Sequence, residues 1–427
     1  MALDPTDPPL LALVRRHKRH LWVGNNPPFD FDSVFLPGST NYRTSAGHHR
    51  AYDVVWSFEP DVAMLPPESV TLYLDELVRC LGADGRLVVR YHEHAKFTVV
   101  QLKRFLGRHP FLDVEVEHEK VRQADGWVTV FRVRRQHLAE YASADWTLAI
   151  LTQGKKVANV VAFLQSVRDQ DPDRRHELIV CGPAHPAYEP FGVRVHAKEY
   201  SAEFGDICTK KNDLAHLATH PNLMLVHDRY RLDPGFFAGF DRYGHDFDFL
   251  TVPQSYDTGE EFPSYCTGSK KRHTFAWTPP IALTDYSRVY PQHYINGGLL
   301  VVKTHTLRAL RLNDLLFWNQ AEDCEFTRWL QDHSLPPRIN LFSRATVMGL
   351  TPAYSQFFTP ERADDSEEDP PPPAARPAAP APPRPGLADR VRHALHLRFR
   401  KIAAVTVAVM LAAQAAILYL LLTGGHR

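Results

Sequence analysis

Two hydrophobic periods alternate along most of this chain. Short uninterrupted apolar runs read as buried strands, and apolar residues every three or four positions read as one face of a helix. In the first region, residues 21–135, HLWVG predicts a short strand and YDVVWSF (52–58) a buried one. Leu72, Leu74, Leu77 and Val78 fall at helical spacing within 70–80; Gly82 and Gly85 predict the end of that helix, and RLVVRY (86–91) is the next strand. A helix over 97–106 is followed by two alternating strands, FLDVEVEHEK and WVTVFRVRR, with Asp125-Gly126 expected as the hairpin turn.

The second region, residues 146–350, opens on the apolar strand WTLAILTQ. A helix follows with Val157, Val160, Val161, Leu164 and Val167 on one face, then the strand HELIVCG (176–182). Lys210-Lys211-Asn212 is expected to open a helix with Leu214 and Leu217 inward. Pro221-Asn222 ends it, and LMLVHDRY (223–230) is a strand that runs into His227-Asp228. Strands that alternate with helices predict parallel sheets, so both regions are expected to be α/β.

The pattern then changes twice. Residues 359–369 are acidic, and residues 370–385 hold nine prolines in sixteen positions. Such a stretch favours extended polyproline conformation and reads as a spacer, with an SH3-type ligand as the alternative. Residues 402–422 carry no charge, with Thr406, Gln414 and Tyr419 as the polar interruptions. At 1.5 Å per residue a helix of that length spans roughly the 30 Å of a bilayer core, which predicts a single transmembrane helix; a buried soluble helix is the alternative. Arg390, Arg392, Arg398, Arg400 and Lys401 precede it, and only His426 and Arg427 follow. The positive-inside rule then predicts a tail-anchored membrane protein with its folded domains in the cytoplasm.

Charge and cysteine content narrow the classes. Lys+Arg and Asp+Glu both total 49 in 427 residues, so there is no basic excess for coating nucleic acid, and no nucleic-acid partner is expected. Five cysteines without a CxxC pair predict neither a disulfide framework nor a structural zinc site and fit a reducing compartment. The N-terminus has no long apolar run behind a basic start, so no signal peptide is expected.

The segment YDVVWSFE…YLDELVRCLGADGRLVVRY resembles the second half of class I S-adenosylmethionine-dependent methyltransferases. That family carries a Gly-rich turn after its first strand. Here the candidate is Val23-Gly24-Asn25-Asn26, without GxGxG, and only about 30 residues separate it from Tyr52, too few for two βα units. Residues 1–140 therefore read as a degenerate, non-catalytic Rossmann-like domain, with S-adenosylmethionine not expected as a cofactor.

In the second region the pattern KKNDLAHLATHPNLMLVHDRY, with HYINGGLLVVKTHTLRALRLNDLLFWNQAEDCEF downstream, resembles GT-A glycosyltransferases related to family 2. The Gly-Gly and Glu-Asp pairs are also similar to a segment of the β-1,4-galactosyltransferases. The resemblance implies a GT-A (nucleotide-diphospho-sugar transferase) domain over 145–358. It also implies a nucleotide-sugar donor beyond the carboxyl ends of the strands and a glycan or glycolipid acceptor. Asp228, His227 and, further on, His293 are its candidate ligands for a divalent cation, Mn²⁺ or Mg²⁺, that neutralises the leaving diphosphate. The residue two beyond Asp228 is Tyr230 rather than the carboxylate of a DxD pattern, and the alternative is that His227 and Asp228 cap a strand end. Asp323 is the candidate base and Glu322 its neighbour orienting an acceptor hydroxyl. Gln153, Gly154, Lys210, Lys211, Asn212, Gly297, Gly298 and Trp318 are candidate donor contacts. Three functions follow: a membrane-tethered inverting glycosyltransferase, a bifunctional methyltransferase/glycosyltransferase, or a non-enzymatic tail-anchored scaffold.

Overall fold

The computed structural model describes residues 7–38, 41–123, 126–201, 205–267, 293–317 and 320–352. The chain divides into two compact units, Met1–Arg362 and Ala363–Arg427, and every described residue belongs to the first. The proline-rich stretch and residues 402–422 lie outside the described residues, among which no helix is long and apolar enough to cross a membrane.

Helix α1 (Pro8–Arg16) leads into the first sheet. Its elements are β1 (His20–Val23), β2 (Asp32–Val34), β3 (Tyr52–Ser57), α2 (Pro67–Cys80), β4 (Leu81–Tyr91), α3 (Val99–Arg108), β5 (Leu112–Gln123) and β6 (Gly126–Arg135). The strand order is β2-β1-β3-β4-β6-β5. The first four strands are parallel, and the β5–β6 hairpin adds two antiparallel ones. Strands β1 and β3 are almost wholly buried because helices cover parallel strands on both faces. Thr98 and Gln101 close a reciprocal capping box at the start of α3, which fixes where that helix begins.

Two expectations shift here. Gly82 and Gly85 do not form a break between helix and strand; they lie inside β4. Leu81 already pairs with Tyr52, and Gly85 pairs with Val133. A Cβ at Gly85 would come within 2.7 Å of the Leu81 side chain, so the strand needs glycine there. Gly126 pairs with Gln123 and so belongs to β6 rather than to a turn, while Asp125 lies outside the described residues.

Helix α4 (Leu138–Ala142) leads to the second sheet through β7 (Trp146–Leu151), α5 (Val157–Arg168), β8 (Glu177–Cys181), β9 (Arg194–His196), α6 (Ile207–Leu217) and β10 (Asn222–His227). Then come β11 (Tyr230–Leu232), α7 (Phe236–Tyr243), β12 (Phe249–Thr251), β13 (Gln254–Tyr256), β14 (Glu261–Phe262), β15 (Tyr265–Thr267) and β16 (His293–Ile295). The last elements are β17 (Leu299–Lys303), α8 (Thr304–Ala309), α9 (Glu322–Asp332), β18 (Arg338–Ile339) and β19 (Ala345–Val347). Seven strands order as β18-β12-β17-β10-β7-β8-β9, a mixed sheet in which β10, β7, β8 and β9 are parallel and β17 runs against β10. A four-stranded sheet, β11-β19-β13-β14, and the β15–β16 pair flank it. Because β17 is antiparallel, its N-terminal end meets the C-terminal ends of β10 and β7, and the loops of three strands converge at one edge.

The two large sheets are joined through buried charge. Arg79 of α2 holds Asp75 on its own helix and reaches Asp246 and Asp248 at 3.0 and 2.7 Å. Arg135 adds a 2.8 Å bond to Asp246, and Arg338 returns from the second sheet to Asp75 at 2.6 Å. Glu76 takes Arg43, His49 and the backbone and hydroxyl of Thr44. These arginines hold Asp246, Asp248 and Glu76 well below the usual carboxylate range against the opposing effect of burial. His49 and His109, buried beside them, are pushed down to about 4 by desolvation and stay neutral. A network this deep contributes less net stability than its Coulomb energy suggests, but removal of one partner strands the others without solvent.

Candidate functional site

The converging edge is built around Asp228, just past the end of β10. The Thr152 hydroxyl, just past β7, donates to Asp228 Oδ2 at 2.8 Å and accepts from the Gly154 amide at 3.0 Å. The Asn159 amide of α5 donates to the Asp228 carbonyl at 3.1 Å. Gly154 has φ +79°, a left-handed conformation, and a Cβ there would meet the Pro183 ring at 3.0 Å. Gln153 is exposed beside it.

His227 is held by its backbone, whose amide donates to the Gly298 carbonyl at 3.0 Å. Its Nε2 is buried and has no hydrogen-bond partner among the described residues; the Tyr188 hydroxyl shares that condition. Burial holds the His227 imidazole well below its ordinary value, and the charges of Arg229, Lys211, Lys210 and Lys156 act in the same direction. The imidazole is therefore neutral. Burial raises the Tyr188 phenol, and the Asp228 carboxylate raises it further.

Lys210 and Lys211 do not open α6, which starts three residues earlier, after Asp206 in a left-handed conformation, with Ile207 and Cys208 buried. Lys211 therefore points inward and is fully buried, donating to the Gly297 carbonyl at 3.2 Å and to Glu322 Oε1 at 3.3 Å. Lys210 donates to the Gly205 carbonyl at 3.1 Å and lies over the Tyr200 ring. Asn212 is committed to the loop after α8: its amide donates to the Leu312 carbonyl and Asp314, and its oxygen accepts from the Leu312 amide.

Asp323 reaches the same edge from the first turn of α9. Its Oδ2 accepts the Gly297 amide at 2.7 Å and its Oδ1 accepts the Cys324 amide at 2.9 Å. A Cβ at Gly297 would sit 2.9 Å from the Asp323 carboxylate, and one at Gly298 would sit 2.8 Å from both Arg229 and the Tyr230 hydroxyl. Side chains thus approach both glycines of the pair closely. Burial, reinforced by Glu322, pushes the Asp323 carboxyl up to about 6. A carboxyl poised there changes protonation near neutral pH, as a general base requires.

The structure thus brings Thr152, Gly154, His227, Asp228, Lys211, Gly297, Gly298, Glu322 and Asp323 to one edge. His293 lies in β16, which pairs with β15 outside the seven-stranded sheet, and only its backbone position is described. Trp318 lies outside the described residues. Tyr188 and Arg229 escaped the sequence reading. Arg229 adjoins His227-Asp228 and was within reach of it; Tyr188 sits on a short turn, Pro186–Phe191, with no sequence signal. Two three-residue groupings of possible metal ligands occur among the described residues, His137–Glu140–His305 and Asp75–His109–Asp248, and both lie away from this edge.

No family model matches the sequence, and no curated protein matches it. Among solved structures, the chain is similar to GalNAc-T7 crystallised with UDP, GalNAc and Mn²⁺, at 13% identity and TM-score 0.36, over 49% of this chain and 44% of that one. It is also similar to S. aureus TarS 1-349, at 13% identity and TM-score 0.33, over 50% of this chain and 69% of that one. A longer S. aureus TarS structure aligns at 16% identity and TM-score 0.30, over 48% of this chain and 36% of that one. The chain spans less than half the length of the first of these.

Proposed function

We propose that the chain is an inverting glycosyltransferase with a GT-A domain over residues 145–358, moving a sugar from a nucleotide-sugar donor to a glycan or glycolipid acceptor. The observation that carries this reading is the convergence, at one sheet edge, of Asp228 and the buried cation Lys211 with a second, buried carboxylate, Asp323, of raised pKa. The first pair suits a diphosphate leaving group with its cation, and the second carboxylate suits the acceptor. In the reaction the acceptor oxygen bonds to the anomeric carbon while the bond from that carbon to phosphate oxygen breaks. The nucleoside diphosphate departs with the electron pair, and Asp323 takes the acceptor's proton. Asp323 is oriented by the Gly297 and Cys324 amides, so its two oxygens keep lone pairs free for that proton. Lys211, fixed between Gly297 and Glu322, and the exposed Lys156 supply positive charge at the leaving group.

A divalent cation fits the residues present. Among the described residues His227 Nε2 has no partner and its neutral imidazole is in the form a Mn²⁺ ligand needs, and Asp228 takes only the Thr152 hydroxyl on its carboxylate. Such an ion, when bound, would neutralise charge on the departing diphosphate.

Residues 1–140 are read as a non-catalytic methyltransferase-like lobe. Glu59 fills the edge where a cofactor would lie: it accepts from the Asn25 amide at 3.0 Å and packs on Gly24, where a Cβ would meet it at 2.9 Å. The uncharged run 402–422 carries the membrane reading, a cytoplasmic enzyme tethered through that run beside lipid-linked acceptors.

The test is a thermal-shift panel of nucleotide sugars on the full-length chain in detergent, with Mn²⁺ and with EDTA. One donor that raises Tm in wild type and not in Asp228→Ala supports the reading. No shift with any nucleotide sugar or nucleoside diphosphate would remove it and favour the scaffold.

A further inference from the structure

We propose that a cavity of about 430 Å³, formed where α3 and the start of α2 face the end of α9, is a binding site for a phosphate-headed amphiphile, a phosphomonoester carried on apolar chains. Its volume falls in the range of small-molecule sites, roughly 300–1,000 Å³. Gln331, which lines it, lies eight residues beyond Asp323 on α9, about 12 Å along the axis at 1.5 Å per residue. The proposal therefore does not rest on the glycosyltransferase reading.

The charge of the lining is one-sided. Lys96, Arg104 and Arg108 line the cavity, and none of the described residues that line it is acidic. Arg104 and Arg108 are exposed and one turn apart on α3, a spacing at which like charges repel. The helix dipole favours Arg108, in the last turn, but not Lys96, which precedes the N-cap Thr98 at the positive end. Other cations of the same lobe are matched: Lys103 to Glu119 at 2.7 Å, Lys120 to Glu93 at 2.8 Å and Arg86 to Glu117 at 2.9 Å. The three in the cavity have no carboxylate partner among the described residues. A concave surface whose positive charge is left unneutralised draws an anion. Two guanidinium forks and an ammonium suit phosphate oxygens. His94 is not a further donor: its Nε2 is 2.9 Å from the Ala63 carbonyl, and its Nδ1 accepts from the Lys96 amide at 3.2 Å.

The rest of the lining selects the kind of anion. Leu65, Val70 and Phe105 share the cavity with the cations, and a bare phosphate gains nothing from them. The apolar surface continues outward. Met64, beside Leu65 in the chain, is 68% exposed, and Val100, one turn before Arg104, is 46% exposed. Exposed apolar side chains among cations are the composition of surfaces that take anionic lipid. A phosphomonoester brings roughly two negative charges and three acceptor oxygens to the three cations, and its first carbons lie on Leu65, Val70 and Phe105.

The test is a phosphorus NMR titration of the full-length chain in a maltoside detergent, which carries no phosphorus. Three probes separate the components: dihexanoyl phosphatidic acid, dihexanoyl phosphatidylcholine with the same chains and a masked phosphate, and inorganic phosphate without chains. Wild type should bind the phosphatidic acid saturably and at least tenfold more tightly than either control. Arg104→Gln and Arg108→Gln should each weaken it at least fivefold, and Val70→Trp, which fills the cavity, should do the same, all with circular dichroism unchanged. Lys103→Gln, on the same helix but paired with Glu119, should bind as wild type does. Absence of saturable binding in wild type, equal binding in the arginine variants, or an equal loss in Lys103→Gln would overturn the proposal. Inorganic phosphate bound as tightly as the phosphatidic acid would make this a free-phosphate site and overturn the lipid assignment; phosphatidylcholine bound as tightly would overturn the role of the cations.

Discussion

The two large sheets offer the same kind of edge, where the carboxyl ends of parallel strands meet their loops, and they finish it differently. At the first sheet Glu59 swings over Gly24 and accepts from the Asn25 amide, so the chain satisfies its own turn. At the second, His227 Nε2 and the Tyr188 hydroxyl are buried without partners among the described residues, and Asp323 is held up to about 6. Buried polar groups are normally paired. An edge that leaves two of them unpaired among the described residues is arranged for something that arrives from outside, and an edge that fills itself is arranged for stability. Parallel topology alone does not distinguish a binding edge from a structural one; the hydrogen-bond inventory does.

The contrast breaks most visibly at Asp323. Asp323→Asn should lower the transfer rate by about 10³-fold, the scale of a lost general base, with donor affinity nearly unchanged. In wild type the rate should be lost as pH falls through about 6, because the base must be ionised to accept a proton. A flat profile from pH 5 to 8 would reassign the base.

Next in size is the network that joins the two sheets. Arg79→Leu should destabilise by about 3–5 kcal/mol in denaturant unfolding, since Asp75, Asp246 and Asp248 would be left buried and short of a partner. The same network sets the response to acid. His49 and His109 titrate at about 4 in the fold and near 6.5 when unfolded, so below that value the unfolded chain takes up protons first and stability falls. Asp246, Asp248 and Glu76 lie below their unfolded values and add to the loss as pH drops through the ordinary carboxylate range. Melting temperature should therefore decline steadily from about pH 6.5 downward; a plateau extending to pH 4 would show that the network contributes nothing.

Smaller effects sharpen the comparison. Asp228→Ala should weaken donor binding about tenfold or more, roughly 1.4 kcal/mol, and remove any Mn²⁺ dependence of that binding. Glu59→Gln, the matched change at the first edge, should leave transfer unaltered and stability within about 0.5 kcal/mol. Calorimetric titration of S-adenosylmethionine into wild type should give no saturable isotherm. A one-to-one isotherm would mean that the Glu59 plug opens.

Local pattern foretold most elements of both sheets, because β3, β7, β8, β10 and β17 are short apolar runs and α5 has a clean buried face. It misplaced boundaries where a distant partner decides them. Gly82 and Gly85 read as a break, but pairing with β3 and β6 draws them into a strand. Lys210 and Lys211 read as a helix start and as donor contacts, yet Gly297 and Glu322, 86 and 111 residues away in sequence, draw Lys211 fully inside. The meeting of Gly297 with Asp323 is likewise set by tertiary contact. The charge network was invisible in sequence, since arginines and aspartates scattered from Arg43 to Arg338 have no periodicity to betray a shared destination.

That scatter has a consequence for vectorial synthesis. Arg135 waits for Asp246, 111 residues downstream, and Asp75 waits for Arg338, 263 residues downstream. At roughly 5–20 residues per second on the ribosome, the first sheet emerges many seconds before the counter-charges that complete it. During synthesis Asp75 has only Arg79 of its own helix, and Arg135 only the carbonyls of Arg79 and Leu81, until the downstream partners are made, so the joint between the lobes is completed only after translation has passed Arg338.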